Sequence, residues 1–95
     1  MKMPLKGEAL AVRARELPGW EVVDEHHLHK AFEFPDFKKA LDFVNCVGAI
    51  AEEQNHHPDI SLGWGKAEIT TYSHDADGLT DRDFILAAAI DRISG

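Results

Sequence analysis

Residues 35–58 read PDFKKALDFVNCVGAIAEEQNHHP and contain the longest helical pattern of the chain. Its apolar residues recur at spacings of four and three, which is the repeat of an amphipathic helix with one side against a core. The predicted core stripe consists of Phe37, Leu41, Val44, Val47 and Ala51. The helix is predicted to begin just after Pro35. Its end is predicted near Asn55-His56, because Pro58 disfavours helical dihedrals in the residue before it.

Strand-like runs and shorter helices lie on both sides of this segment. The predicted elements are a helix at 8–17, strands at 20–23 and 28–34, the long helix, strands at 60–64 and 67–74, and a helix after the capping pattern at 80–83. Two hairpins separated by helices favour an α+β fold, with a four-stranded antiparallel sheet and helices packed on one face. The order is α-β-β-α-β-β-α, and residues 1–95 are predicted to form a single domain.

The composition excludes several classes of protein. With 44% hydrophobic and 28% charged residues, the 95-residue chain has the balance of an ordinary globular domain. A net charge of −7 argues against direct binding of nucleic acid, because such surfaces concentrate Lys and Arg. The single Cys46 excludes an internal disulfide, and neither a signal peptide nor a membrane span is recognisable, so the cytosol is the expected location.

Histidines are numerous and unevenly placed. They stand at positions 26, 27, 29, 56, 57 and 74. Glu52, Asn55 and His56 have the i, i+3, i+4 spacing, which predicts a carboxylate, an amide and an imidazole on one side of the helix end. The residues alone also allow ordinary capping, since histidine near a helix C-terminus interacts favourably with the dipole. His27 and His29 alternate with an apolar neighbour, and the first cluster is interpreted as solvated side chains.

A longer pattern surrounds the helix end. It comprises Glu52, Asn55, His56, His57 and Pro58, then Trp64, His74 and the run Gly78-Leu79-Thr80-x-Arg82-Asp83. This combination resembles the pterin-4a-carbinolamine dehydratase family, known in animals also as a dimerisation cofactor of a homeodomain transcription factor. The resemblance covers residues 18–93. It implies that His56, His57 and His74 form a catalytic trio, and that Glu52 and Asp83 support or bind the substrate.

Three further residues carry a second interpretation. Asp83, three residues after Thr80, has the spacing of a capping box, and capping can coexist with a role in the site. Trp64 is a candidate substrate contact, with packing as the alternative. Family members often carry Asp where this chain has Asn55; an amide still hydrogen-bonds but supplies no negative charge, so we expect an orienting role there.

The resemblance implies a 4a-hydroxytetrahydropterin substrate and no metal or organic cofactor. Losing water requires a proton on the departing 4a-oxygen and removal of a proton from a ring nitrogen. Imidazole, with an ordinary pKa of about 6.5, serves as acid or base at neutral pH. We expect His56 or His74 to protonate the hydroxyl, and His57 to bind the ring or take the second proton. Glu52, one turn before His56, is expected to favour the protonated form of that imidazole.

Two other functions stay open. The three histidines and Glu52 are acceptable zinc or iron ligands by type, although adjacent histidines before a proline lack the one-face geometry of a helical metal motif. The fold is also compatible with a docking module without catalysis. The expected partners are a pterin substrate and other copies of the chain, as a homodimer or homotetramer, and a protein partner is possible by family analogy only.

Overall fold

The computed structural model describes residues 3–94. Within that range three helices and four strands follow in the order α-β-β-α-β-β-α, which confirms the predicted α+β class. The elements are α1 Gly7–Arg15, β1 Glu21–Val23, β2 His27–Glu33, α2 Phe37–Gln54, β3 Asp59–Gly63, β4 Lys66–Thr71 and α3 Asp81–Ser94. The residues at positions 3–94 include no helix long and apolar enough to cross a membrane.

The strands form one antiparallel sheet in the order β1-β2-β4-β3. β2 and β4 lie in the centre and pair from Leu28 opposite Thr71 to Glu33 opposite Lys66. β1 and β3 are the outer strands of the two hairpins. Because antiparallel neighbours run in opposite directions, the start of β2 lies beside the end of β4. The β1–β2 turn is therefore next to the residues that follow Thr71.

One face of the sheet forms the floor of the core. Leu28 and Ile69 have no exposed surface, and Phe32 and Ala67 on the same strands are buried, as the alternation of a strand requires. The large buried apolar side chains of α2 and α3 belong to the same cluster, so both helices pack on this face; they are Phe43 and Val47 of α2 and Phe84, Leu86 and Ile90 of α3. Each fully buried aliphatic side chain stabilises the fold by about 1.5–3 kcal/mol.

The core side of α2 differs from the predicted stripe. Phe37 is 43% exposed and Leu41 is 37% exposed, whereas Ala40 and Phe43 are buried. Phe43 decides the rotation of the helix, since its ring packs on Phe32 with centroids 4.7 Å apart. The stripe prediction was wrong in the first half of the helix, because its apolar residues trace two adjacent stripes with the same spacing. The second half was right, with Val47 and Ala51 buried.

Helix boundaries follow the capping chemistry. α2 begins where Asp36 accepts a hydrogen bond from the backbone nitrogen of Lys39 at 2.8 Å. α1 ends at Arg15, two residues earlier than predicted, and Leu17 lies in the following turn. In α3 the side chains of Leu86, Ala89 and Ile90 are buried, whereas Ile93 is 43% exposed near the end of the helix.

Candidate active site

A hollow of about 340 Å³ opens where the end of α2, the end of β4 and the start of α3 meet. Its lining residues are Asn55, His56, His57, Tyr72, Ser73, His74, Asp75 and Arg82. The fold therefore brings the three histidines of the predicted trio to one hollow. Its volume lies at the lower end of the range of about 300–1,000 Å³ that is typical of small-molecule sites.

A Schellman motif ends α2 and sets the directions of the two adjacent histidines. Asn55 adopts the left-handed conformation, with φ 51° and ψ 44°. The backbone nitrogen of His56 donates to the carbonyl of Ala51 at 3.1 Å, and that of Asn55 donates to Glu52 at 3.3 Å, which are the two bonds of the motif. Asparagine is one of the few residues other than glycine that adopts this conformation readily, so Asn55 suits its position.

The reversal at Asn55 corrects the predicted pairing of Glu52. The helix ends at Gln54, so Glu52, Asn55 and His56 do not continue along one helical side. Glu52 pairs instead with Nε2 of His57, and both side chains are largely exposed. The predicted support of His56 by Glu52 is therefore wrong, because the left-handed residue turns His56 inward and His57 back towards the helix.

His56 is held by Asp83, the most highly connected side chain of the site. Nε2 of His56, a residue only 7% exposed, lies 2.6 Å from Oδ1 of Asp83, which is fully buried. The same carboxylate accepts hydrogen bonds from the hydroxyls of Thr71 and Ser73, at 2.7 and 2.8 Å, and from the backbone nitrogen of Thr80 at 3.0 Å. Because an ionised carboxylate only accepts, Nε2 of His56 carries a hydrogen and Nδ1 is its remaining nitrogen.

Asp83 combines the two roles anticipated for it. Its bond to the backbone nitrogen of Thr80 is one half of a capping box at the start of α3. The second bond of a capping box would use the hydroxyl of Thr80, but this hydroxyl contacts that of Ser73 instead, at 2.7 Å. The cap and the histidine support therefore use one carboxylate, which ties the start of α3 to the end of α2 and to the end of β4.

His74 lies in the short loop that follows β4. Ser73 and Gly78 close this loop through a 2.8 Å bond from the nitrogen of Ser73 to the carbonyl of Gly78. The His74 side chain is exposed, and its ring contacts that of Tyr72 with centroids 4.3 Å apart. Whereas carboxylates hold His56 and His57, the ring of His74 is held through an aromatic contact.

Arg82 connects α3 to the end of α2. Its Nη2 donates to the backbone carbonyl of Asn55 at 2.6 Å. Asn55 lines the hollow and contributes its backbone carbonyl to this link. The link does not use the side-chain amide, so the orienting role expected of that amide stays a prediction. The sequence pattern included Arg82 only as part of the motif and gave it no role.

Trp64 is not brought to the hollow. It lies in the turn between β3 and β4 and is 70% exposed. The hollow lies at the other end of β4, whose six residues span about 20 Å at the usual rise of a strand. Within one chain, Trp64 therefore contacts nothing that belongs to the site, because the turn before β4 and the loop after it lie at opposite ends of that strand.

The sequence analysis missed Thr71, Tyr72 and Ser73. A signal was present, since Ile69, Thr71 and Ser73 alternate along β4 and beyond it, and all three are buried. Two hydroxyls on the core-facing side of a strand need a buried acceptor, which Asp83 supplies. Tyr72 points to the opposite side and lines the hollow.

The first histidine cluster is also less ordinary than predicted. Nε2 of His26 lies 2.9 Å from a carboxylate oxygen of Asp77, and its ring contacts Tyr72 with centroids 4.5 Å apart. His29, by contrast, pairs with Glu68 on the outer face of the sheet. The two side chains are about equally exposed, His26 at 33% and His29 at 31%, and each pairs with a carboxylate, so the interpretation as simple solvated side chains fits neither of them.

The described part of the chain has no cluster of side chains suited to metal coordination. Among residues 3–94, no group of three or more His, Cys, Asp or Glu side chains is placed to hold a metal ion. Two of the ligands considered for such a site have other partners, since His56 contacts Asp83 and Glu52 contacts His57.

Residues 3–93 match the family described as pterin 4 alpha carbinolamine dehydratase. This chain belongs to that dehydratase family. The family resemblance predicted from the sequence is thereby confirmed. A relative from Rubrobacter xylanophilus, named for the same dehydratase, is 66% identical over 90 residues, which are 95% of this chain and 84% of the relative.

Two solved structures share the dehydratase fold. A transcriptional coactivator/pterin dehydratase from Brucella melitensis superposes with a TM-score of 0.91 at 28% identity, over 97% of this chain and 99% of its own. A pterin dehydratase-like RuBisCO assembly factor of the alpha-carboxysome has a TM-score of 0.69 at 24% identity, over 81% of this chain and 90% of its own. The second likeness concerns the fold alone.

Proposed function

We propose that this protein removes water from a 4a-hydroxytetrahydropterin to give the quinonoid dihydropterin, by proton transfer through its histidines. The observation that carries the proposal is that imidazoles from the end of α2 and from the loop after β4 line one hollow. Membership of the pterin carbinolamine dehydratase family supports the reaction class. Recycling of tetrahydrobiopterin in the cytosol is the setting that we propose for it.

In the proposed mechanism His74 is the general acid. It gives a proton to the 4a-oxygen as the C4a–O bond breaks, and water is the leaving group. The exposure of the His74 ring supports this role, because solvent can restore its proton after each turnover. His56 is the weaker candidate for repeated exchange, since it is buried and its Nε2 already donates to Asp83.

His57 is proposed to take the proton from the pterin ring nitrogen, so that the C4a=N double bond forms as the hydroxyl departs. The pairing of Glu52 with Nε2 of His57 supports this role, because a carboxylate partner fixes the ring orientation and leaves Nδ1 to act as the base. His56 is proposed to hold the substrate from the inner wall of the hollow, in an orientation that Asp83 fixes.

We further propose that the reaction needs no bound metal or organic cofactor, since both proton transfers lie within the chemistry of imidazole. The test is an assay in which phenylalanine hydroxylase generates the 4a-carbinolamine and its ultraviolet absorbance reports its breakdown. Added protein is expected to accelerate the breakdown in proportion to its concentration, equally before and after it has been treated with a chelator that is removed before the assay. Protein unfolded by heat is the control.

Each arm of that assay has an opposing result. A breakdown rate that does not change with added protein would remove the proposed dehydratase activity and favour the docking module. Acceleration that disappears with the chelator would overturn the cofactor-free mechanism and favour the metal site.

Self-association is a second property that we propose, as a homodimer or homotetramer formed through the outer side of α2. The support is the exposure of Phe37 and Leu41 on that side, since large apolar residues on one surface favour association.

Sedimentation equilibrium tests this self-association. It is expected to give a mass of two or four chains, and Leu41→Glu is expected to lower that mass. Val12→Glu, at a residue 44% exposed on α1, is the matched control. A monomeric wild type, or equal masses for both variants, would contradict the proposal.

A further inference from the structure

A row of three rings leads from the β1–β2 turn to the hollow. The ring of His26 lies 4.5 Å from that of Tyr72, and the ring of Tyr72 lies 4.3 Å from that of His74, between centroids. The interplanar angles are 41° and 36°, so the rings are tilted against one another. Tyr72 and His74 line the hollow, whereas His26 does not. His26 therefore contacts the lining of the hollow through the ring of Tyr72.

The backbone places His26 at the head of this row. The turn from Val23 to His26 is closed by a 2.9 Å bond from the nitrogen of His26 to the carbonyl of Val23. Its central residues, Asp24 and Glu25, both have positive φ, 55° and 52°, which is the type I′ geometry that links strands tightly. Residues other than glycine adopt this geometry at a cost in free energy. The sheet register then sets the turn beside the end of β4.

Two hydrogen bonds hold the His26 ring in place. Nε2 lies 2.9 Å from a carboxylate oxygen of Asp77, and Nδ1 lies 3.2 Å from Nδ1 of His27. Asp77 belongs to the same loop as His74, and its backbone nitrogen donates to the carbonyl of His74 at 3.3 Å. His26 therefore reaches the His74 loop by two routes, one through the ring of Tyr72 and one through the carboxylate of Asp77.

We propose that His26 is a positioning residue that fixes the ring of His74 by way of Tyr72 and Asp77. The inference rests on the proposed function, in which His74 transfers the proton to the departing hydroxyl. An exposed ring on a short loop samples several orientations, and the row of rings restricts it to the one facing the hollow. Proton transfer depends steeply on such orientation, because small misplacements of a reacting group lower rates strongly.

The decisive experiment is a double-mutant cycle between His26 and His74. His26→Ala is expected to lower kcat about tenfold or more, with a smaller change in KM, because it disturbs the acid and not the binding of substrate. His26→Phe keeps a ring against Tyr72 and is expected to recover a large part of that loss. In the His74→Ala background, His26→Ala is expected to cause no further loss of kcat, because its effect passes through His74.

His29→Ala provides the matched control. His29 lies on β2, three residues after His26, but it pairs with Glu68 on the outer face, so kcat is expected to stay within about twofold of wild type. Equal losses from His26→Ala in the wild-type and His74→Ala backgrounds would overturn the proposal, since they would indicate a general structural role. An unchanged kcat in His26→Ala would overturn it as well.

A spectroscopic measurement separates this inference from the proposed function. Carbon relaxation of the His74 ring by NMR reports its motion whether or not the chain is active. The order parameter of that ring is expected to fall in His26→Ala and to stay at the wild-type value in His29→Ala. A chain with no dehydratase activity but with this loss of order would remove the proposed function and keep the positioning role. Equal order in all three proteins would remove the positioning role itself.

Discussion

Replacing Asp83 with alanine is expected to lower the free energy of unfolding by about 3–5 kcal/mol, a large part of the stability of a domain of this size. The carboxylate is fully buried and accepts hydrogen bonds from four donors on three parts of the chain. Alanine removes all four acceptor contacts at once and leaves the buried hydroxyl of Thr71 and the imidazole of His56 without their acceptor, while Ser73 keeps its contact with Thr80. Urea unfolding followed by circular dichroism measures the change.

Asp83→Asn refines this prediction. Asparagine has nearly the same shape, but its amide nitrogen donates and cannot accept. Two of the four donors therefore lose their acceptor, and the expected loss is about 2–3 kcal/mol. Asp59→Ala is the control, because Asp59 is an exposed carboxylate on β3. If Asp83→Ala costs no more than Asp59→Ala, the buried network does not stabilise the fold.

Replacing His74 with alanine is expected to lower kcat by about 10²–10⁴-fold, the usual contribution of one positioned proton transfer. Stability is expected to change by less than about 0.5 kcal/mol, because the side chain is exposed. A substitution of His74 therefore tests catalysis without disturbing the fold. A substitution of His56 cannot do so, because His56 is buried against Asp83. The carbinolamine assay and urea unfolding measure the two quantities on the same preparation.

His29→Ala serves as the control for the His74 prediction also, since it removes a histidine that lies outside the hollow. It is expected to keep both activity and stability. A His74→Ala variant that retains wild-type kcat would contradict the role of His74 as the acid. The proton would then have to come from His56 or His57.

The order of elements was predictable because it depends on local patterns. Alternation in β2 and β4, the helical repeat of α2 and the helix-disfavouring Pro58 act over a few residues each, and the structure has the predicted elements in the predicted order. The rotation of α2 was not predictable from its repeat. Both Leu41 and Phe43 lie on apolar stripes of that helix, and only the packing of Phe43 on the sheet selects one of them.

The gathering of the three histidines in one hollow was predictable, but the contacts that each of them makes were less so. The sequence motif named His56, His57 and His74, and the fold brings them to one hollow. The helical spacing paired Glu52 with His56, whereas in the structure Glu52 pairs with His57. The reason is the left-handed conformation of Asn55, which changes the direction of the backbone that follows it. The contact between His26 and Tyr72 depends on the pairing of β2 with β4, whose paired residues are 33 to 43 positions apart in the sequence, so no local pattern predicts it.

Asp83 also limits how this chain can vary. A substitution of Asp83 changes both the stability of the fold and the orientation of His56. One of these properties therefore cannot be improved at the expense of the other at this position. Mutational trade-offs between robustness and turnover must instead arise at exposed positions such as His74, where a change affects the chemistry and leaves the core intact. Variation that tunes activity is therefore expected to accumulate at the exposed positions 74, 75 and 77 of the loop after β4, while the carboxylate beneath it stays fixed.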